Sequence, residues 1–172
     1  MKLLRVGEIG KEKPAALDKT GKTRDLSQHI VDFNPSTLNF ETLEKLKKVN
    51  LESLPEVPSS VRIGSCIAKP GKFLAIGLNY SDHAAETNSE IPKEPIIFNK
   101  AVNCMIGPND NIVLPKLSKK LDWEIEIAFV VGKNTKYISE KEATNYILGY
   151  CIVNDISERE WQKERGGTWD KG

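Results

Sequence analysis

The sequence predicts an α+β fold, mainly β, with a small N-terminal β/α domain over residues 1–70 and a larger strand-rich domain over residues 71–172. Three observations predict it. Up to Ser27, short apolar runs are broken by Gly and charge, as in short strands joined by turns. From Pro35, the apolar positions Leu38, Leu43, Leu46 and Val49 approximate helical spacing. Beyond Lys72 the apolar runs lengthen to strand size and are bounded by Gly, Pro or Asn.

Taken in order, Asp18-Lys19-Thr20-Gly21 is the turn of a small hairpin. The helical stretch is broken at Leu51-Glu52-Ser53-Leu54-Pro55, and Pro58-Ser59-Ser60 reads as a linker. A change of character between Ile67 and Lys72 sets the domain boundary near residue 70. Strands are expected at Phe73 to Leu78, Ile96 to Phe98, Ile112 to Leu114, Ile125 to Val131 and Ile147 to Val153. Ser139-Glu140-Lys141-Glu142 and Ser157-Glu158-Arg159-Glu160 each match the Ser-x-x-Glu capping box. The first helix would run to about Tyr146 or Ile147, and the second, starting just after Asp155, would end at Gly166-Gly167.

Composition narrows the function classes. The 25 basic and 24 acidic residues leave a formal charge of +1, which gives no global field for nucleic acid or an anionic membrane. Short basic runs such as Lys45-Leu46-Lys47-Lys48 and Lys119-Lys120 lack interleaved aromatics and read as solvated faces. No stretch reaches the ~20 apolar residues that span a bilayer, and the start is too soon interrupted by charge to be a signal peptide, so a cytoplasmic protein is expected. Cys66, Cys104 and Cys151 are odd in number and widely spaced, which predicts buried free thiols.

The chemistry-bearing pattern is Asp122-Trp123-Glu124-Ile125-Glu126-Ile127. In a strand, the side-chain period of two puts Asp122, Glu124 and Glu126 on one face and Trp123, Ile125 and Ile127 on the other. Carboxylates this close repel, and burial would raise their pKa values unless a cation compensates. A hard divalent ion suits an oxygen-only donor set, whereas zinc prefers His or Cys. An edge strand with one wet face would show the same alternation. Asp155 adds a third candidate ligand, because the run Ile147 to Val153 ends in Asn154-Asp155 at a strand-to-helix junction, although Asp155 or Ser157 could equally cap that helix.

Of the two histidines, His83 is the candidate proton-transfer group. It lies in Asn79-Tyr80-Ser81-Asp82-His83-Ala84-Ala85-Glu86, where Ser81 or Asp82 would cap a short helix and His83 and Glu86 share a face at i, i+3. A carboxylate beside an imidazole raises its basicity, as a general base requires. A surface helix with a His and a Glu has the same spacing. His29 has no comparable partner and reads as structural.

Four segments together resemble the fumarylacetoacetate hydrolase family, in its ureidoglycolate lyase-like branch: Gly77-Leu78-Asn79-Tyr80-Ser81-Asp82-His83-Ala84-Ala85-Glu86, Pro95-Ile96-Ile97-Phe98-Asn99-Lys100, Asp122-Trp123-Glu124-Ile125-Glu126, and Asn154-Asp155-Ile156-Ser157-Glu158-Arg159-Glu160-Trp161-Gln162. The resemblance implies the first part of a mixed β-roll behind the small N-terminal domain. It implies Glu124, Glu126 and Asp155 as ligands of Mg²⁺ or Mn²⁺, with Ca²⁺ in some members, and His83 with Glu86 as the acid–base dyad. Tyr80 and Lys100 are implied at the substrate, although Lys100 read by itself could be a solvent-facing strand residue. Such enzymes act on small oxo-acids as hydrolases, lyases, decarboxylases or tautomerases, usually as homodimers. Family members continue past the position of Gly172, so a truncated chain is expected. The alternative is a non-catalytic metal-binding or dimerisation fragment of such an enzyme.

Overall fold

Side-chain direction in the first strands decides where the core forms. The computed structural model describes residues 1–172. In chain order the elements are β1 (Lys2–Val6), β2 (Lys13–Leu17), β3 (Thr23–Asp25), α1 (Phe40–Lys47), β4 (Leu74–Gly77), α2 (Ser81–Glu86), β5 (Ile96–Asn99), β6 (Leu121–Asp122), β7 (Ile125–Val131), α3 (Glu140–Ala143), β8 (Ile147–Asn154) and β9 (Ser157–Glu158). A π-helical turn follows at Glu160–Glu164. The chain forms two compact units: Met1–Pro70, Met105–Val113 and Ile125–Asp155 make the first, and Gly71–Cys104, Leu114–Glu124 and Ile156–Gly172 the second.

In the first unit, β1, β2 and β3 form an antiparallel sheet in that order, with Leu3 opposite Ala16 and Leu4 opposite Ala15. Alternation sends Ala16 into a cluster with Leu26, Ile30, Phe33 and Leu46, and sends Leu4, Val6 and Ala15 into a second cluster. Both faces of β1 and β2 are therefore covered, which is why they read as apolar runs rather than alternating ones. The expected hairpin is a three-stranded sheet, and its turn is where the sequence placed it. Asp18 organises that turn by accepting from the Thr20 N–H (2.8 Å), the Thr20 hydroxyl (2.7 Å), the Lys22 N–H (3.0 Å) and Arg24 Nε (2.7 Å).

The helical stretch forms α1, whose N-cap Asn39 accepts from the Thr42 N–H at 2.9 Å and whose Leu46 is buried. The segment just before the expected Pro58-Ser59-Ser60 linker is docked, whereas residues 58–60 themselves are exposed. Asp25 donates its N–H to the Pro55 carbonyl (3.0 Å) and Val57 donates to Thr23 (2.9 Å), so residues 55–57 satisfy the free edge of β3. A chain of charges fixes the next segment. Arg5 holds Asp32 through Nε (2.6 Å) and Nη2 (3.0 Å), and Arg62 reaches Glu12 (2.9 Å) and Asp110 (2.7 Å).

The hairpin β7–β8 belongs to the same unit, with Glu126 opposite Val153, Ala128 opposite Cys151 and a register shift at Val130/Val131. Its alternation is as expected, but its exposure is reversed. Ile125, Ile127, Phe129, Val131, Tyr150 and Ile152 are each more than half exposed, whereas Glu126 lies on the less exposed face. Between the strands, α3 starts at a complete capping box, with Ser139 and Glu142 bonded reciprocally, and the helical turn runs on to Tyr146 as predicted.

In the second unit, β4 pairs with β5, Ala75 lying opposite Phe98. Gly77 is required there: a Cβ at that position would lie 1.8 Å from the Trp169 ring, which also meets Phe98 edge-on. Two expectations fail. Ile112 to Leu114 forms no strand and stays exposed, because no neighbouring segment supplies a ladder for its backbone. Ser157 does not cap a helix. It is buried in β9 opposite Asp122, and the side chain of Glu158 instead accepts the Trp161 N–H (2.8 Å) at the start of the π-helical turn.

Candidate metal and acid–base site

The acidic segment does not run as one strand. Trp123 and Glu124 are an extended link between β6, which pairs with β9, and β7, which pairs with β8. The alternation nevertheless persists, with Trp123 and Ile125 exposed and Asp122, Glu124 and Glu126 less so. This argues against a wet acidic face, since the solvated side is the apolar one.

Within the first unit, Glu126 sits on β7 and Asp155 immediately follows β8, where its side chain is buried. Val153, opposite Glu126, is two residues before Asp155, so both carboxylates stand at one end of the hairpin. Within the second unit, Arg159 gathers the remaining acids. It pairs with Asp122 through Nε (3.0 Å) and Nη2 (2.8 Å) and with the carboxylate of Glu124. Arg159 thus brings one positive charge to Asp122 and Glu124, a partner that sequence reasoning did not identify. Its guanidinium is the main cause that holds the Asp122 carboxyl below its ordinary range, and His83 contributes to the same effect. Burial works against charge on Arg159, yet its bonds to Asp122 and Glu124 keep its pKa raised.

His83 and Glu86 lie on α2, His83 half-buried and Glu86 exposed. No hydrogen bond or ion pair joins them. The N-cap of α2 is Tyr80, so Ser81 and Asp82 lie inside the first turn, Asp82 accepting from the His83 N–H at 2.8 Å. Entry to the helix is set by Leu78, whose φ of 49° is left-handed and costs of order 1 kcal/mol for a residue with a Cβ. Tyr80 is partly exposed, and Lys100, just past β5, places its ammonium 5.8 Å from the centre of the Phe98 ring. His29 is exposed, with its N–H given to Leu26 at 2.8 Å.

Glu158 is a further buried carboxylate that sequence reasoning passed over as part of a capping box. Burial pushes its pKa up, but the N–H groups of Trp161 and Lys120 (both 2.8 Å) and the Ser118 hydroxyl (3.2 Å) outweigh this and hold it down. It ties residues 118–120 to the turn that carries Arg159 and Gln162. In neither unit do three His, Cys, Asp or Glu side chains cluster as a group that could hold a metal. The donor chemistry fits a hard divalent ion, because all three predicted ligands are carboxylates.

Residues 72–172 match the sequence profile of the fumarylacetoacetate (FAA) hydrolase C-terminal domain. A protein of Burkholderia ambifaria, provisionally named a hydrolase, is 51% identical over all 172 residues, which make up 61% of its length. Among solved structures, fumarylacetoacetate hydrolase from psychrophilic Exiguobacterium antarcticum is 26% identical with a TM-score of 0.74, over 95% of this chain and 58% of that one. The 2-hydroxyhepta-2,4-diene-1,7-dioate isomerase of Mycobacterium marinum is 28% identical with a TM-score of 0.69, over 99% and 60%. The chain belongs to the fumarylacetoacetate hydrolase family, and it spans about three-fifths of the curated relatives that it matches. All seven predicted site residues fall inside the matched span.

Proposed function

We propose that this chain carries the metal-binding and acid–base residues of a divalent-metal-dependent enzyme acting on small oxo-acids or their enol forms. The observation that carries the reading is the inverted exposure of the Asp122 to Ile127 segment. Beyond the two acids that Arg159 holds, Glu126 and Asp155 at one end of β7–β8 are carboxylates withdrawn from solvent, oxygen donors of the kind a hard divalent ion compensates. Glu124, Glu126 and Asp155 would hold Mg²⁺ or Mn²⁺, and residues 71–172 would be the first part of the catalytic domain. A bound ion would polarise the oxo group of a chelating 2-oxo-carboxylate and stabilise the enolate. His83, assisted by Glu86, would move the proton. Lys100 would pair with the substrate carboxylate, and the Tyr80 hydroxyl would orient it. The names of the solved relatives favour this substrate class, since a 2-hydroxydienoate is the enol form of a 2-oxo acid.

Mg²⁺ or Mn²⁺ is expected to raise the Tm of the purified protein by mass action, and the double substitution Glu124→Gln and Glu126→Gln is expected to remove the rise. A rise that persists in the double variant would rule these residues out as ligands. Acylpyruvate cleavage, oxaloacetate decarboxylation or tautomerisation, and 2-hydroxydienoate isomerisation are the activities to assay with each ion. A second reading is favoured by the apolar face of β7–β8, which suits an association module. It expects the metal response without turnover, and assembly as a homodimer.

A further inference from the structure

We propose that Glu158 is a positioning residue of the candidate site, whose carboxylate bolts the segment carrying Asp122 and Glu124 to the turn carrying Arg159 and so fixes the reach of that guanidinium to both acids. Its functional weight rests on the metal-binding reading above, and every residue involved belongs to the second unit. Glu158 is 2% exposed, and its two oxygens serve different segments. Oε2 accepts the Trp161 N–H (2.8 Å) in the π-helical turn. Oε1 accepts the Lys120 N–H (2.8 Å), the Ser118 hydroxyl (3.2 Å) and the Lys119 N–H (3.4 Å). Bonds to an ionised carboxylate are strong, and removing it leaves the donors on both segments without their acceptor.

Two features go beyond the capping of a turn. Leu117, next to these donors, has a left-handed φ of 69° and is 80% exposed, so burial of its side chain does not offset its unfavourable backbone. What holds the turn is the closing of residues 118–120 on Glu158, since successive N–H groups in such a turn form a cradle for an anion. The second feature is the path of the chain beyond Lys120. The Arg159 N–H donates to the Lys120 carbonyl (2.9 Å), Leu121 lies opposite Glu158, and Asp122 lies opposite Ser157. Asp122 and Glu124 then meet the Arg159 side chain, whose Nη1 also donates to Oε1 of the buried Gln162 (3.1 Å). Without the bolt, the 118–120 turn relaxes at Leu117 and the acids shift against the guanidinium. Groups that orient a metal ligand from behind typically change metal affinity by about 10- to 100-fold when removed.

The test compares the whole protein with its Glu158→Ala, Glu158→Gln and Asn39→Ala variants, each at a temperature where circular dichroism shows it folded. One readout is the Arg159 Nε–H resonance in a nitrogen-15 spectrum without metal, assigned by its loss in Arg159→Gln. The other is Mn²⁺ affinity by electron paramagnetic resonance. In the wild type the bond from Arg159 Nε to Asp122 (3.0 Å) should protect that proton from solvent exchange. Glu158→Ala should lose the protection and bind Mn²⁺ about 10- to 100-fold more weakly. In Glu158→Gln the amide oxygen still accepts from residues 118–120 but the amide nitrogen cannot accept the Trp161 N–H, so both readouts should fall between the two. That variant keeps the test decisive where the alanine variant does not fold. Wild-type readouts in either folded Glu158 variant would overturn the proposal. So would equal losses in Asn39→Ala, which removes the α1 cap in the first unit and should lower Tm alone. A wild type that binds no Mn²⁺ would sink the metal reading, and the Arg159 resonance, recorded without metal, would then decide the role of Glu158 by itself.

Discussion

Single carboxylates carry much of the local order, and each has a pH signature. Asp18 accepts from Thr20 first of all, and then from Arg24 and the Lys22 N–H, which holds its carboxyl far below the ordinary value despite burial. Its folded pKa is lower than its unfolded one, so the folded state binds fewer protons between the two. Its stabilising contribution is therefore complete above the unfolded pKa of about 3.9 and is lost as pH falls through the folded value. Asp18→Asn is expected to lower Tm at neutral pH, with the gap to wild type closing in acid, as thermal melts across pH would record. A gap independent of pH would assign the loss to packing alone. At the candidate site, Arg159→Gln should let the Asp122 carboxyl rise towards its ordinary value, as a carbon-13 titration of that group would show. Glu124 and Glu126 were legible in the sequence from alternation, but Arg159 was not. It lies 35 residues from Glu124, and nothing local marks a guanidinium as the partner of a distant acid.

Among the elements, those set by neighbouring residues were read correctly. The turn at Asp18, the α1 stretch and the Ser139 capping box all depend on chemistry within four residues. Asn39→Ala, which removes the cap from α1, is expected to cost about 1 kcal/mol in chemical denaturation, with Asn39→Ser recovering most of it. Elements that need a distant partner were read less well. Ile112 to Leu114 has the composition of a strand but no ladder to join, whereas Ser157 has the spacing of a cap but is claimed by β6. The same dependence explains segment 55–57, which lies between the break in the helical pattern and the expected linker, yet whose N–H and C=O groups complete the edge of β3.

At the scale of the whole molecule, the exposed side of β7–β8 is the dominant feature. Six large apolar side chains, among them the cross-strand pair Ile127 and Ile152, face solvent over one sheet surface. A patch of this kind promotes association. Light scattering is expected to show concentration-dependent self-association, weakened by the pair Ile127→Lys and Ile152→Glu; an unchanged profile in that variant would place the contact elsewhere. No helix is long and apolar enough to cross a membrane. By itself the sequence determined the family, the order of its motifs, the identity of the candidate ligands and the alternation that puts acids and apolar residues on opposite faces. The alternation follows from residue type and a backbone period of two, while the family and its implied ligand set follow from the resemblance of four motif segments in order. Only the tertiary structure decided which of those faces is withdrawn from solvent, that Arg159 pairs with Asp122 and Glu124, and that Ser157 is taken up by β6. Each of these depends on segments far apart in sequence, and their approach is settled by pairing and burial in three dimensions rather than by any local pattern.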